Sequence, residues 1–137
     1  MKDQIHLRIV TAGGTVYDGQ CSYVELPLEG GGIGVLSDHA PTIGAVCDGV
    51  VKSRSDAGEE CIAVGQGVVN IAHNEIIVLT RTAECAENID VQRAADAERR
   101  ARERLTDKNG EWDTMRAEAA LYRAIARQNA VRMSGRE

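Results

Sequence analysis

A change of pattern near Cys85 divides this 137-residue sequence into two kinds of structure. Twelve of the fourteen glycines precede Gly110, and the stretch from Cys85 to Asn109 contains none. Apolar residues alternate with polar ones before Cys85, and recur every three or four positions after it. The first period indicates strands with one buried face, and the second indicates amphipathic helices. The sequence therefore predicts two structural units, residues 1–85 and residues 86–137.

The first unit has the pattern of a series of short strands. In its opening segment three apolar residues, Ile5, Leu7 and Ile9, alternate with polar ones. Seven further extended segments follow, separated by turn-forming residues: Ser22–Leu28, Ile33–Leu36, Thr42–Val46, Gly49–Arg54, Glu60–Val64, Gly67–Ala72 and Glu75–Thr80. Strands at this spacing predict an antiparallel β-sandwich or a flattened barrel. Because the sequence contains no phenylalanine, its core must be filled by Val, Ile, Leu and Ala.

The second unit has the pattern of two helices. Asn88 is the candidate N-cap of the first helix, and Asp90 places a carboxylate in the first turn, where the helix dipole favours it. Residues 106–110 supply a stop and a turn. The apolar stripes are predicted at Ala94, Ala97, Ala101 and Leu105 in the first helix, and at Trp112, Met115, Ala119, Tyr122, Ala126 and Met133 in the second. Small residues bury little area, so at about 25 cal/mol per Å² the antiparallel hairpin is expected to be weakly held.

Composition and charge exclude several classes of protein. Hydrophobic residues make up 43% and charged residues 27%, which is typical of a folded chain rather than a disordered one. The net charge of −5 is unevenly placed, with five basic and eleven acidic residues in residues 1–85. No stretch approaches the roughly 18 apolar residues of a membrane-spanning helix, and the first ten residues lack the apolar run of a signal peptide. We therefore expect a soluble, intracellular protein.

The four cysteines are the first candidates for chemistry, and they stand at Cys21, Cys47, Cys61 and Cys85. They include no C-x-x-C pair, and their spacing fits no zinc knuckle. A metal site that also uses His39 and His73 remains an alternative. We expect free thiols that are buried or half-buried, because free cysteine behaves as a small apolar residue.

Two short segments suggest chemistry that their context argues against. Residues 29–34 (Glu-Gly-Gly-Gly-Ile-Gly) resemble a phosphate-binding loop, but no Gly-Lys-Ser/Thr and no predicted helix follows them. A hairpin loop is therefore favoured. Asp38 and His39 are adjacent, as in a general-base pair, but no nucleophile motif accompanies them. A turn that contains a hydrogen-bonded histidine is the favoured interpretation.

The charge pattern of the helices suggests an anion site. On the first helix Asp90, Arg93 and Arg100 share a face. On the second Arg123 and Arg127 do so, and an antiparallel hairpin can bring the two faces together. Four converging guanidinium groups would repel one another unless an anion lay between them, and their forked donors suit phosphate oxygens. The alternative is a solvated surface on which nearby carboxylates neutralise the arginines: Glu98, Glu103 and Glu118.

Several segments follow one another in an order and spacing typical of a known family. They are the Gly-Gly turn after the first strand, IGVLSDHAP (residues 33–41), VGQGVVNI (64–71), IVLTRTAE (77–84) and ID-x-x-RA (89–94). Together they closely resemble the epsilon subunit of F-type ATP synthases, which is called delta in mitochondria. The similarity covers essentially the whole chain, and the His-Ala-Pro segment combined with I-D-x-x-R-A makes it specific.

This resemblance implies a sandwich of ten strands in residues 1–85, followed by a regulatory hairpin of two helices in residues 86–137. It implies a non-catalytic subunit of the central stalk that rotates with the gamma subunit, sits on the ring of c subunits and couples proton flow to ATP synthesis. In bacterial relatives the helices extend into the alpha/beta catalytic head and restrain ATP hydrolysis. Some relatives bind ATP in the compact form, so ATP is a possible regulatory ligand and no cofactor is required. The implied location is peripheral, on the cytoplasmic face of the bacterial cell membrane.

The resemblance also implies particular contact residues. The family's nucleotide-contacting positions match this sequence at Glu84, Ile89, Asp90, Arg93, Ala94, Arg100, Arg123 and Arg127. Contacts with the c-ring or the gamma subunit are implied at Glu29, Gly32 and His39. The family often has an acidic residue at the position of Gly32, where the nearest acid here is Glu29. No catalytic residue and no metal ligand is implied.

Two alternatives come from other functional classes. A free-standing nucleotide sensor would bind ATP without a partner subunit. A metal-assisted hydrolase that uses His39, His73 and cysteines would bind a metal and turn over substrate alone.

Overall fold

The computed structural model describes residues 4–107 and 113–135, in which ten strands are followed by two helices. The strands are β1 (Ile5–Thr11), β2 (Gly14–Cys21), β3 (Tyr23–Leu28), β4 (Gly31–Val35), β5 (Thr42–Val46), β6 (Gly49–Ser55), β7 (Gly58–Val64), β8 (Gly67–Ala72), β9 (Glu75–Thr80) and β10 (Ala83–Cys85). A short 3₁₀ turn, Ala86–Asn88, leads to helices α1 (Val91–Thr106) and α2 (Thr114–Met133). The predicted succession of a β-sandwich and a helical hairpin is therefore confirmed.

One sheet runs through all ten strands and closes around a single core. The strand order is β10-β7-β6-β3-β5-β8-β9-β1-β2, with β4 paired to β3. The sheet is antiparallel, as predicted, except where β1 and β9 run parallel with Leu7 beside Ile76. The two ends of the sheet approach each other, and the Tyr17 hydroxyl lies 3.4 Å from the Ser53 hydroxyl. The sheet therefore curls back on itself and encloses the side chains of its inner face.

The core of the sandwich consists of aliphatic side chains, as the absence of phenylalanine requires. Ile5, Leu7 and Ile9 are each no more than 1% exposed, so the predicted alternation in β1 is confirmed. Val24, Leu26, Ile62 and Ile76 from other strands join the same cluster. The side chains on the inner face of the curled sheet thus form one continuous core that excludes water.

The sequence patterns missed two strands, β2 and β10. Both lie at the ends of the sheet path, where one edge of the strand has no hydrogen-bonded neighbouring strand among the described residues. In β2 only Cys21 is buried, and in β10 no residue is fully buried. In an edge strand that buries few side chains, apolar and polar residues alternate only weakly, because neither face of the strand has to be apolar.

The cap of α1 differs from the prediction. Asn88 ends the 3₁₀ turn, and the N-cap is Asp90, whose carboxylate accepts a hydrogen bond of 3.1 Å from the Arg93 backbone N–H. Between them Ile89 is 1% exposed and packs with the buried Ala86. Burial of Ile89 fixes where the chain leaves the sheet, and therefore makes the next polar residue the cap.

The apolar stripe of α2 also differs from the prediction. Met115, Tyr122 and Met133 are 81%, 51% and 42% exposed, and Trp112 lies outside the described residues. Among the members of the predicted stripe that the structure describes, only Ala126 is buried. The other buried residues of α2 are ones that the prediction omitted: Ala117, Leu121, Ala124, Ala130 and Val131. The helix contacts α1 on one side and the sheet on another. Its buried residues therefore lie on two faces, and a single apolar stripe with the helical period does not describe them.

The hairpin is attached to the sandwich through α2. This helix contacts β6 and β7, whereas α1 packs on α2. The attachment is a small cluster of Cys61 and Ala63 from β7 with Ile89, Ala130 and Val131, and Val50 packs against it. In α1 the predicted stripe holds at Ala94 and Ala101, which are buried, while Ala97 and Leu105 are half-buried. The helices thus meet through alanines and reach the sheet through a short patch.

Candidate functional site: an arginine-lined cleft beside the helical hairpin

Three of the four predicted arginines lie around one small cavity between the helices. Arg100, Arg123 and Arg127 line a space of about 230 Å³ together with Arg104. Its walls include Ala97, Ala101, Ala120 and Ala124, whose small side chains leave room between the helices. Arg93 does not line it, since it stands exposed in the first turn of α1. The hairpin therefore brings α1 and α2 guanidinium groups together, as their spacing predicts.

A second cavity separates α2 from the sandwich. It has a volume of about 410 Å³ and is lined by Ala63, Val64, Thr82, Ala83, Glu84, Arg123, Ala126 and Arg127. Across it, Arg127 Nε lies 3.0 Å from Glu84 Oε1 in a half-buried salt bridge. Glu84 is in β10 and Arg127 is in α2, so this ion pair joins the two structural units. Arg123 lines both cavities, which makes them neighbours.

The remaining predicted nucleotide-contacting residues have structural roles at the start of α1. Asp90 caps the helix, and Ile89 and Ala94 are buried at 1% and 0% exposure. None of these three residues lines either cavity. The structure thus brings Glu84, Arg123, Arg127 and Arg100 together, and leaves the I-D-x-x-R-A segment as the element that positions α1.

Asp48 is a charged neighbour of the cleft that sequence reasoning missed. It is half-buried between β5 and β6, near the position that a Cβ on Gly65 would take. Burial raises the pKa of the Asp48 carboxyl, and the positive charge of Arg123 opposes that shift. Asp48 lies between two predicted strands, Thr42–Val46 and Gly49–Arg54, and its sequence context gives no sign of this contact. Arg104 was also missed, although it lies one helical turn beyond Arg100.

Two of the three carboxylates expected to neutralise the arginine cluster, Glu98 and Glu103, pair with other residues. Glu98 lies 2.8 Å from Arg102 and accepts a 2.6 Å hydrogen bond from Gln128, while Glu103 lies 4.0 Å from Arg99. These contacts lower the pKa of Glu98, chiefly through the hydrogen bond from Arg102. Within residues 4–107 and 113–135, no carboxylate is within 4.0 Å of the Arg100 or Arg123 guanidinium. The solvated, salt-bridged alternative therefore describes Arg99 and Arg102, whereas within the cluster only Arg127 is shown with a carboxylate partner among the described residues, Glu84.

The three residues implied in contacts with the c-ring or gamma subunit lie apart. Glu29 and Gly32 flank the β3–β4 turn, where Gly30 and Gly31 have φ values of 91° and 137°. The glycine-rich segment is thus a hairpin, as predicted, with Gly31 to Gly34 inside β4. His39 lies beyond the other end of β4, with its Nδ1 2.8 Å from the Ala40 carbonyl oxygen.

An exposed apolar patch lies on the outer face of the sandwich. Ile43, Val68 and Leu79 are 80%, 50% and 50% exposed on the neighbouring strands β5, β8 and β9. Val68 pairs with both Ala45 and Leu79 in the strand register, so the patch crosses three strands. An apolar surface of this kind marks a docking site more often than a solvated face.

The cysteines have the burial that was expected of free thiols. Cys21 and Cys61 are buried, and Cys47 and Cys85 are half-buried. Burial raises the pKa of Cys21, Cys61 and Cys85. In the part of the chain that the structure describes, no group of three or more His, Cys, Asp or Glu residues is placed to hold a metal ion. No helix among the same residues is long and apolar enough to cross a membrane.

Fold and site together define a class of protein: a β-sandwich with an exposed apolar patch that carries an arginine-lined helical hairpin. Two family models match the chain in succession. The ATP synthase delta/epsilon chain β-sandwich domain matches residues 4–86, and the long α-helix domain of the same chain matches residues 87–132. The chain therefore belongs to the ATP synthase delta/epsilon chain family.

Individual proteins agree with this assignment. The ATP synthase epsilon chain of Bacillus licheniformis is 38% identical over 128 residues, which cover 93% of this chain and 98% of that one. The epsilon chain of Symbiobacterium thermophilum is 42% identical over 125 residues, covering 90% of each chain. Among solved structures, a chain of the Euglena gracilis mitochondrial ATP synthase aligns with a TM-score of 0.80 at 20% identity, covering 93% of this chain and 81% of that one. The solved structure supports the fold, and the curated relatives support the epsilon branch of the family.

Proposed function

We propose that this chain is the epsilon subunit of an F-type ATP synthase, a non-catalytic part of the rotor that couples proton translocation to ATP synthesis. The observation that carries this proposal is the match of both family domains, in order, over residues 4–132. In this role residues 1–85 dock on the stalk and residues 86–137 regulate. The subunit is peripheral to the membrane through its complex, on the cytoplasmic face of a bacterial cell.

The apolar patch of Ile43, Val68 and Leu79 is the proposed contact with the gamma subunit. Its side chains are exposed in the isolated chain, and burying an aliphatic side chain is worth about 1.5–3 kcal/mol. The β3–β4 turn around Glu29 and Gly32 is the proposed contact with the c-ring. These two surfaces lie on different strands, so they can engage two partners at once.

Charge substitution tests the gamma contact. Val68→Glu should abolish co-purification with a co-expressed gamma subunit, because it buries a carboxylate in an apolar interface. Thr15→Glu is the matched control, since Thr15 is exposed in β2 on another part of the sheet. Equal retention of gamma by the two variants would remove the patch from the proposal.

The helical hairpin is the proposed regulator of ATP hydrolysis. In the compact arrangement α2 leaves Met115, Tyr122 and Met133 exposed, and their spacing places them on one face of the helix. A helix with a second apolar face can pack in a second way, which is what extension into the alpha/beta head requires. The residues that α2 buries in the compact arrangement are mostly alanines. The free-energy difference between the two packings is therefore small, and a ligand that binds one of them can shift the equilibrium.

ATP is the proposed ligand of the compact form, at the cleft of Glu84, Arg100, Arg123 and Arg127. The guanidinium forks suit phosphate oxygens, and Glu84 offers an acceptor on the sandwich side. A ligand that binds only the compact form stabilises it by about 2.7 kcal/mol at a hundredfold excess over Kd. Arg127 must then leave Glu84 or share it with the ligand.

Calorimetric titration with ATP, with and without Mg²⁺, tests the nucleotide site. Arg123→Ala should weaken binding about tenfold or more, because it removes a charge-assisted contact. Arg132→Ala is the control, since Arg132 is exposed at the end of α2 and donates to Asn129 in its own helix. Undiminished binding by both Arg123→Ala and Arg127→Ala would refute the site. The rotor role would then stand alone.

A further inference from the structure

A third arginine-lined cavity lies at the end of the hairpin where α1 ends and α2 begins. Most of its charged residues belong to neither the family's matched positions nor any ion pair described above. It has a volume of about 770 Å³ and is lined by Arg81, Arg104, Asp113, Arg116, Ala117, Ala119, Ala120 and Arg123. We call it the distal cleft. Its charged residues come from three places in the chain: the β9–β10 turn, the last turns of α1 and the first half of α2 with its cap.

Four arginines outside the distal cleft have carboxylate partners. Arg54, Arg99, Arg102 and Arg127 each form a salt bridge with a carboxylate. In the distal cleft, by contrast, no carboxylate of the described residues lies within 4.0 Å of the guanidinium groups of Arg81, Arg116 or Arg123. The chain as a whole is acidic, at −5, so this local excess of positive charge does not follow from composition.

The only carboxylate that lines the distal cleft, among the described residues, already has donors. Asp113 caps α2 and accepts hydrogen bonds from the backbone N–H groups of Met115 and Arg116, at 3.0 and 3.3 Å. It therefore neutralises the helix end more than the arginines around it. The guanidinium groups of Arg81, Arg116 and Arg123 around this cavity repel one another, and a multivalent anion removes that repulsion.

The positions of the arginines are fixed by backbone contacts. The Arg81 backbone N–H donates to the Gln66 carbonyl oxygen at 3.1 Å, which holds the β9–β10 turn against the start of β8. Arg116 lies in the capped first turn of α2. One side of the cleft therefore belongs to the rigid sandwich and the other to the hairpin, so an anion held there bridges the two units.

We propose that the distal cleft binds a phosphate chain, with Arg81 and Arg116 as its contacts from the sandwich and from α2. Phosphate oxygens accept the forked hydrogen bonds that guanidinium groups donate, and several oxygens on one chain can serve arginines on different elements. Alanine side chains line the helical side of the cleft and leave the guanidinium groups accessible. A bound chain holds the hairpin to the sandwich independently of the Glu84–Arg127 ion pair.

Two sources could supply the phosphate chain. Arg123 lines both the distal cleft and the cavity of Glu84, so the chain of a nucleotide can extend from one into the other. A free inorganic polyphosphate can also occupy the distal cleft. The test of this proposal does not depend on nucleotide binding, because its probe, inorganic tripolyphosphate, carries no nucleoside.

Titration of the full-length chain with inorganic tripolyphosphate tests the proposal. We expect saturable binding that weakens with added salt, and a loss of about tenfold in Arg81→Gln. Arg116→Gln should give a similar loss. Arg132→Gln is the matched control, since it removes the same charge from an arginine that lies outside the distal cleft. Arg81 is exposed in a turn, and circular dichroism verifies that each variant is folded.

The outcomes separate this proposal from nucleotide binding. The proposed phosphate site is refuted if Arg81→Gln and Arg132→Gln bind tripolyphosphate equally well. It is also refuted if the wild-type chain does not bind tripolyphosphate at millimolar concentration, even if ATP binds. Tripolyphosphate binding that requires Arg81 supports it even if ATP fails to bind. In that case, competition by ATP identifies a nucleotide as the source of the chain, and simultaneous binding of both identifies free polyphosphate.

Discussion

The sandwich and the hairpin of this protein bury very different side chains. In the sandwich, Ile, Leu and Val residues from most of the strands form one closed core, and many are no more than 1% exposed. Between the helices the fully buried residues are mostly alanines, and the attachment to the sheet is the short patch around Ile89. Stability scales with apolar area buried, so the first region holds itself together while the second depends on a few contacts.

This difference fits the division of labour that we propose for the two regions. A part that transmits torque must keep one shape, and a closed aliphatic core provides that. A part that regulates must change its packing, and a small interface with exposed apolar residues on its far side permits it. The following predictions test whether the two regions differ in stability as their packing implies.

The largest effect is expected from the core of the sandwich. Leu7→Ala should lower the free energy of unfolding by about 2–5 kcal/mol, because Leu7 is 0% exposed and the neighbouring strands cannot close the cavity. Urea denaturation followed by circular dichroism measures it. Leu36→Ala is the control, since Leu36 is 62% exposed and its truncation should cost little. Similar losses in both variants would contradict the single closed core.

A smaller and more local effect is expected at the attachment of the hairpin. Ile89→Ala should cost about 2 kcal/mol and should release the helices before the sandwich unfolds, because Ile89 packs with Cys61 and Val131. Hydrogen exchange should show α2 amides losing protection while β1 and β9 amides keep theirs.

Truncation after Glu87 is the stronger form of the same experiment. The remaining chain should unfold cooperatively as a sandwich, with Cys61 and Ala63 newly exposed. A molten product, or equal loss of protection in both regions of Ile89→Ala, would mean that the helices belong to the folding unit of the sandwich.

Overpacking the helix interface should have a moderate effect. Ala94 is 0% exposed in α1, so Ala94→Leu should destabilise the hairpin by about 1–3 kcal/mol without changing the sandwich. Ala95→Leu on the next, half-buried position is the matched control. Exchange rates of α1 and α2 amides distinguish the two. Full protection of the hairpin in Ala94→Leu would show that the interface is not close-packed.

The smallest effects are expected from two carboxyl groups that respond to pH in opposite directions. The hydrogen bonds from Arg102 and Gln128 lower the pKa of Glu98, so its stabilisation of the hairpin is present at neutral pH and is lost as the pH falls through that lowered pKa. Burial raises the pKa of Asp48, so stability falls as the pH rises from the ordinary aspartate pKa through the raised one.

Unfolding measured between pH 3 and 7 in Glu98→Gln and Asp48→Asn checks both signs. Glu98→Gln should reduce the loss of hairpin stability that occurs as the pH falls. Asp48→Asn should remove the decline of stability that occurs as the pH rises. A wild-type pH profile that neither substitution changes would contradict both assignments.

The sequence by itself determined the two-part architecture and most of the strands. The strands Thr42–Val46, Gly67–Ala72 and Glu75–Thr80 have the predicted bounds, because each alternates over one buried face. The spacing of Arg123 and Arg127 likewise placed both on one helix face, since a helix fixes the direction of residues four apart.

Only the tertiary structure decided which faces are buried and which charges meet. Periodicity alone cannot do so in α2, which has apolar residues on more than one side, and contacts with α1 and β7 select Leu121 and Ala130 over Met115. Glu84, which pairs with Arg127, and Asp48, whose pKa responds to the charge of Arg123, lie in distant segments of the chain. Local sequence sets the direction of a side chain along its own element, but the neighbour it meets depends on how the elements pack.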